Sequence, residues 1–139
     1  MYVLDTNVVS ELRRRDKADA RLLDWAAGAD AAEFYLSAVT ILEIEIGILR
    51  VERRDAAQGA VLRAWLERQV LPAFEHRVLA VDTAVARRCA ALHVPDPRSD
   101  RDALIAATAL VHAMTVVTRN VVDFEGTGVA IVDPWETSE

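Results

Sequence analysis

Four acids and one amide stand where an apolar run ends or a helix begins, and chemistry would start with them: Asp5, Asp102, Asp123, one of Glu43 or Glu45, and Asn120. Asp5 closes the run Tyr2 to Leu4, while Asn120 and Asp123 follow the run Thr115 to Thr118. Asp102 falls in the first turn of an Ala-rich segment that opens at Ser99 and runs to about Ala113. The remaining acid lies in Ala38 to Arg54, where Ile41, Leu42, Ile44, Ile46, Ile48 and Leu49 leave a helix apolar nearly all round. An ionised carboxylate there is costly unless it is paired or metal-bound. Glu43 and Glu45 meet that difficulty from different sides of the helix, and periodicity does not choose between them.

Each acid also has a purely structural use. Asp5 before Thr6-Asn7 suits a helix cap, Ser99 with Asp102 matches the Ser-x-x-Asp capping box, and Asp123 suits a solvated loop. If three or four carboxylates converge instead, two charges about 5 Å apart repel by roughly 3 kcal/mol at an effective dielectric of about 20. Such a cluster wants a cation. The ligands are oxygens, Cys89 is the only cysteine, and His76, His93 and His112 are scattered. That set selects Mg²⁺ or Mn²⁺ over Zn²⁺. Hard cations on carboxylates at a sheet edge handle phosphate, because they lower the pKa of water and neutralise charge on a phosphodiester under attack.

Stepping outward, 139 residues suffice for one core, and 53% apolar with 27% charged residues excludes a disordered tail or a low-complexity linker. The net charge of −6 excludes the general electrostatic grip of a basic nucleic-acid-binding domain. A nucleic acid must then be held locally, by Arg13-Arg14-Arg15, Arg50 with Arg53-Arg54, or Arg87-Arg88. A single cysteine points to a reducing compartment. The start Met1-Tyr2-Val3-Leu4-Asp5 has no basic segment and meets a carboxylate at once, unlike a signal peptide. The longest uncharged stretch, Ala103 to Thr118, falls short of the roughly 20 apolar residues of a membrane span. These features lead us to expect a soluble cytoplasmic protein.

The elements that must position the acids follow from local pattern. Strands are expected at Tyr2 to Leu4, Glu33 to Ser37, Val78 to Val81, Thr115 to Thr118 and Val129 to Val132. Helices are expected after Asp5, at Ala18 to Ala27, Ala38 to Arg54 and Ala56 to Leu71, along Val85, Cys89 and Leu92, and from Ser99 to about Ala113. Pro72 is expected to end the fourth of these. Continuously apolar strands alternating with helices imply a parallel α/β sheet covered on both faces. Ligands bind such sheets beyond the carboxyl ends of the strands.

Four stretches resemble, in order, the motifs of PIN-domain ribonucleases: Tyr2-Val3-Leu4-Asp5-Thr6-Asn7-Val8-Val9-Ser10, Leu36-Ser37-Ala38-Val39-Thr40-Ile41-Leu42-Glu43, Asp102-Ala103-Leu104-Ile105-Ala106-Ala107-Thr108-Ala109 and Val116-Val117-Thr118-Arg119-Asn120-Val121-Val122-Asp123-Phe124. Val132-Asp133-Pro134-Trp135 is similar to the tail of the FitB-like and VapC-type toxin branch. The resemblance implies a single domain over 1–139 with a PIN-like three-layer α/β fold. It implies a metal-dependent endoribonuclease toxin of a type II toxin-antitoxin pair, acting on RNA, usually homodimeric, and inactivated by a small antitoxin. The family's first three acids fall on Asp5, on Glu43 in preference to Glu45, and on Asp102, as ligands to Mg²⁺ or Mn²⁺. The fourth position falls on Asn120, an amide, with Asp123 as the carboxylate that could take its place. Thr6, Asn7 and Asn120 are the supporting polar groups. Phosphoacceptor receiver domains and haloacid-dehalogenase-like phosphatases need a late lysine, and Lys17 is the only one. The remaining alternative is a non-catalytic binding module of the same fold.

Overall fold

The computed structural model describes residues 1–136; the last three positions of the expected 1–139 domain lie outside the described residues. Five short strands, β1 (Tyr2–Leu4), β2 (Phe34–Ser37), β3 (Val78–Leu79), β4 (Thr115–Val117) and β5 (Ile131–Val132), form one sheet in the order β3-β2-β1-β4-β5. All neighbours pair in parallel, with Val3 opposite Tyr35 on one side and Val116 on the other. The chain builds outward from β1 to β3, then returns to lay β4 and β5 on the opposite flank. The order therefore reverses at β1, and the place where such sheets bind ligands is beyond the carboxyl ends of β1 and β4.

Alternate residues of the central strands feed two cores. Leu4 and Val117 point into a cluster with Val8, Leu22, Leu36, Ile44, Ile48 and Leu66. Val3 and Val116 point the other way, against Ile105, Ala106, Ala109 and Phe124. The first face is covered by α1 (Thr6–Leu12), α2 (Ala20–Ala27), α3 (Ala38–Arg54) and α4 (Ala56–Trp65), and the second by α6 (Thr83–Leu92) and α7 (Asp100–Val111). This is the expected three-layer arrangement. Caps fix where the helices start: Ser37 Oγ accepts from Val39 N at 3.0 Å and opens α3, and Asp82 accepts from Val85 N at 2.9 Å and opens α6. On α7, the small Ala103 and Ala107 let Val85 and Cys89 of α6 pack closely. No helix among the described residues is long and apolar enough to cross a membrane.

β1 matches its apolar run, and the other four strands are shorter than theirs by one or two residues. Pro72 does not end its helix. After α4 the chain widens into a π turn, Leu66–Val70, and continues into α5 (Leu71–Ala73), which contains the proline. The amide of Leu71 reaches back to the Leu66 carbonyl. A proline ring collides with the carbonyl four residues earlier and offers no N–H to it. Widening the turn accommodates both effects, as π bulges do elsewhere. The turn also keeps Leu66 and Val70 on the buried side.

The helix pair α3 and α4 shares one residue at its corner, Asp55, which ends α3 and caps α4 by accepting from Gln58 N at 3.1 Å. Beside it Gly59 is buried against α3, and a Cβ there would stand 2.6 Å from Glu52 Cα and 2.9 Å from Glu52 N. Glycine normally weakens a helix by about 1 kcal/mol relative to alanine. Here the close approach reverses that preference. Gly59→Ala should lower stability by about 1–3 kcal/mol through overpacking, read as a fall in the urea midpoint with an unchanged slope.

Candidate functional site

Asp5 follows β1 directly, at the point where the strand order reverses. Its backbone N–H donates to Val117 O at 2.9 Å, extending the β1–β4 pairing by one step, and its side chain caps α1. Only 5% of the residue is exposed. Oδ1 accepts from Thr6 N at 2.8 Å, and Oδ2 accepts from Thr118 Oγ1 at 2.8 Å and Asn7 Nδ2 at 3.2 Å. Thr118 Oγ1 in turn accepts from Asn7 Nδ2 at 3.3 Å and from Asn120 N at 2.9 Å, so its one donor and both lone pairs are used. Asn7 Oδ1 accepts from Arg119 N at 3.3 Å. Burial pushes the Asp5 carboxyl above the usual carboxylate range against the pull of the Thr118 and Thr6 donors, and Glu43 and Asp123 push the same way.

Glu43 lies on α3 with its side chain 25% exposed. Its Oε1 accepts from Thr6 Oγ1 at 2.7 Å, and with that one proton committed the Thr6 oxygen is placed to accept from the hydroxyl of the buried Thr40 at 3.3 Å. Its Oε2 stands 3.9 Å from Arg101. Glu45 is turned away to a different partner, 2.5 Å from Arg63 Nη1, and Arg63 also reaches Glu52 at 3.2 Å. Geometry thus separates the two glutamates that periodicity left equivalent: Glu43 borders the Asp5 network and Glu45 pins α3 to α4.

Asp102 occupies the first turn of α7, where Ser99 precedes the helix without a side-chain cap bond, so the capping box is not formed. Burial first, then Asp123 and Asp5, raise its carboxyl. Asp123 is exposed on a short 3₁₀ turn, Val121–Phe124, held by the buried Phe124 and by a bond from Asp123 N to Asn120 O at 3.1 Å. Asn120 is also exposed, and it is the backbone amide rather than the side chain that it gives to Thr118. The three histidines lie apart from this edge in their bonding: His93 accepts from Arg98 N at 3.2 Å, His76 stands beside Glu75, and His112 ends α7.

Asp5, Glu43, Asp102 and Asp123 therefore share one electrostatic field, with Asp5 coupled to each of the others. They do not share one coordination sphere: among the described residues no three His, Cys, Asp or Glu side chains stand close enough to hold an ion as they are. Hydrogen bonds from Thr6, Asn7 and Thr118 hold Asp5 and Glu43 in separate positions, and like charge favours that separation. The donors are all oxygens, and the Glu43–Arg101 contact is the only ion pair any of the four acids makes among the described residues. By donor type and by unrelieved negative charge, the set fits a hard divalent cation. Sequence reasoning passed over Thr118, Thr40 and Arg101. The first two are fully buried threonines beside an apolar run, a polar signal inside a hydrophobic pattern.

Comparison with known proteins gives this geometry a context. The family model for the PIN domain matches residues 2–126. The chain is 38% identical to the VapC ribonuclease Y4jK of Sinorhizobium fredii, over 98% of this chain and 99% of that protein. It is 35% identical to the toxin FitB of Neisseria gonorrhoeae, over 97% and 99%. The solved structure of FitAB bound to an IR36 DNA fragment superposes with a TM-score of 0.89 at 33% identity, covering 100% of this chain and 99% of that one. Matched along nearly its whole length in sequence and in fold, this chain belongs to the PIN domain family.

Proposed function

We infer that the chain is an endoribonuclease toxin of a toxin-antitoxin pair, which hydrolyses RNA phosphodiesters using a divalent cation, Mg²⁺ or Mn²⁺, held by Asp5, Glu43 and Asp102. The observation that carries this reading is a carboxylate buried at the strand-order reversal, Asp5, with three further acids from separate segments in its field. The names of the ribonuclease and toxin relatives support it. A divalent ion bound there supplies Lewis acidity, lowering the pKa of water and neutralising charge that develops on the phosphate.

The chain's own groups do the rest. Asn7 and Thr118 keep Asp5 in one orientation, and Thr6 does the same for Glu43. Asp102 is partly open and reaches the site from the α7 end. Asp123, the most exposed of the four carboxylates, stands in for the acid of the fourth family position, which falls on Asn120, and is the group free to accept a proton from the attacking water. Asn120 supports the turn that carries it. For an antitoxin the matching surface is a cleft of about 370 Å³ lined by Val9, Leu12, Phe34, Trp65 and Phe74 with Arg13 and Arg15 and no acid. An apolar segment bearing acidic residues fits it. A homodimer would use α3, where Leu42, Ile46 and Leu49 recur at helical spacing, with Leu42 50% and Leu49 55% exposed.

Freed of any partner, the protein should cleave single-stranded or loop RNA with Mg²⁺ or Mn²⁺ and be silent in chelator. Loss of an outer-shell partner alone typically costs about 10–100-fold, so Asp5→Ala should lose more than roughly 100-fold in kcat/KM. RNA binding without cleavage in either ion would instead establish the non-catalytic binding module.

Cation binding should also be visible without RNA. Mg²⁺ should raise the melting temperature of the wild type with increasing concentration, as linkage requires. Metal-free Asp102→Asn should melt at or above the metal-free wild type, because it removes a charge that burial, Asp123 and Asp5 all disfavour. Its response to Mg²⁺ should shrink. A variant destabilised by up to about 1 kcal/mol with an undiminished response would mark Asp102 as a helix-end acid only.

Sedimentation at micromolar concentration should show a dimer. Leu49→Glu should shift it to monomer while the fold, read by circular dichroism, is kept. A wild-type monomer would remove α3 as the contact.

A further inference from the structure

Among the described residues Arg101 is the one cation that pairs with any of the four acids, and nothing in the hydrolytic scheme above uses it. Arg101 stands in the first turn of α7, next to Asp102, with its side chain 46% exposed and Nη1 3.9 Å from Glu43 Oε2. An ion pair this long and this exposed contributes next to nothing to stability. Its position matters more than its strength. A strand of RNA approaching four carboxylates on a protein of net charge −6 meets repulsion, and a divalent ion offsets only part of it.

Three other arginines are engaged elsewhere in whole or in part. Arg63 lies between Glu45 and Glu52. Arg98 donates to the carbonyls of Leu92 and Glu125. Arg119 lays its guanidinium over the Trp135 ring, 5.4 Å from the centroid. Arg101 holds Glu43 by one nitrogen at the limit of contact and makes no hydrogen bond among the described residues that would commit the other four N–H groups. A guanidinium offers five donors in a planar fork that matches two oxygens of a phosphate. Glu43 is itself held by Thr6 Oγ1 at 2.7 Å, so the arginine is not needed to orient it.

We propose that Arg101 is a phosphate-binding residue of the site: standing beside Glu43, it grips a backbone phosphate of the RNA strand and holds that strand against the acids. This rests on the nuclease reading, and the measurements separate the two. The wild type, Arg101→Ala, Arg101→Lys and Arg68→Ala are compared in steady-state cleavage of a short single-stranded RNA with Mg²⁺. Arg68 is exposed on the π turn and controls for net charge. Arg101→Ala should raise KM roughly 10-fold, the loss of one charge-assisted contact, with kcat changed by less than about 3-fold. The slope of log kcat/KM against log salt should become shallower by about 0.7, the value for one single-strand phosphate contact. Arg101→Lys should keep the slope and recover part of KM, and Arg68→Ala should match the wild type. In the Asp5→Asn background, anisotropy of a fluorescein-labelled RNA should show the same weakening without turnover. Unchanged KM and slope in Arg101→Ala, with a larger Mg²⁺-induced rise in melting temperature, would make Arg101 a counter-ion of Glu43 and overturn the proposal. An equal KM rise in Arg68→Ala would reduce it to net charge and overturn it too. Should Arg101→Ala fail to fold, a lysine variant with the wild-type slope and KM raised several-fold supports the proposal, and one identical to wild type overturns it. A wild type that neither binds nor cuts RNA would defeat the nuclease reading itself, and this assignment with it.

Discussion

The carboxylate of Asp5 is taken almost wholly out of water, and much of the surrounding chain serves to make that tolerable. A buried charge is costly unless hydrogen-bonded. Here each oxygen has donors, from the first amide of α1 and from Thr118 and Asn7. Those donors come from the two elements that flank the strand-order reversal, so the requirement of one side chain joins β1, α1 and the end of β4 into a rigid edge. The residual cost is expressed as a raised carboxyl pKa. A folded state whose acid binds protons more readily than the unfolded chain is destabilised by ionisation of that acid, a penalty that is present above the folded pKa and relieved as pH falls toward the unfolded value of 3.8. The same unrelieved charge is what makes the edge receptive to a cation.

Much of this was legible in the residues. Apolar runs closed by polar groups located β1, β2 and β4 to within a residue, since fully buried parallel strands need no alternation and end abruptly in turn formers. Asp5 was legible twice, as a cap and as a site acid, and it is a cap that also belongs to the acidic edge. What local periodicity left open depended on residues elsewhere in the chain. Glu43 and Glu45 differ because Arg63, on the next helix, claims only the second. The order β3-β2-β1-β4-β5 depends on pairings between segments more than 100 residues apart, such as Tyr2 with Thr115, which local pattern does not encode. Pro72 misled because the rule for proline assumes an α turn, and a π turn relaxes it.

Two surfaces of opposite character meet along β1 and α1. Leu4 and Val9 line the apolar cleft, while Asp5 and Thr6, between them in sequence, serve the acidic edge. The alternation of a strand and the rotation of a helix place neighbouring residues on different surfaces. A segment seated in the cleft would therefore press on the same short stretch of backbone that fixes the acids.

The bond from Thr118 to Asp5 spans 113 positions, and that from Arg119 N to Asn7 spans 112. A chain made from its amino end carries Asp5 and Glu43 early but cannot orient Asp5 until β4 has been synthesised and has left the ribosome exit tunnel. Formation of the acidic edge is thus delayed to the close of translation, and a polypeptide interrupted before β4 holds most of the acids without the edge. For a protein that attacks RNA, this order of assembly holds back the completed acidic edge until after synthesis of the chain.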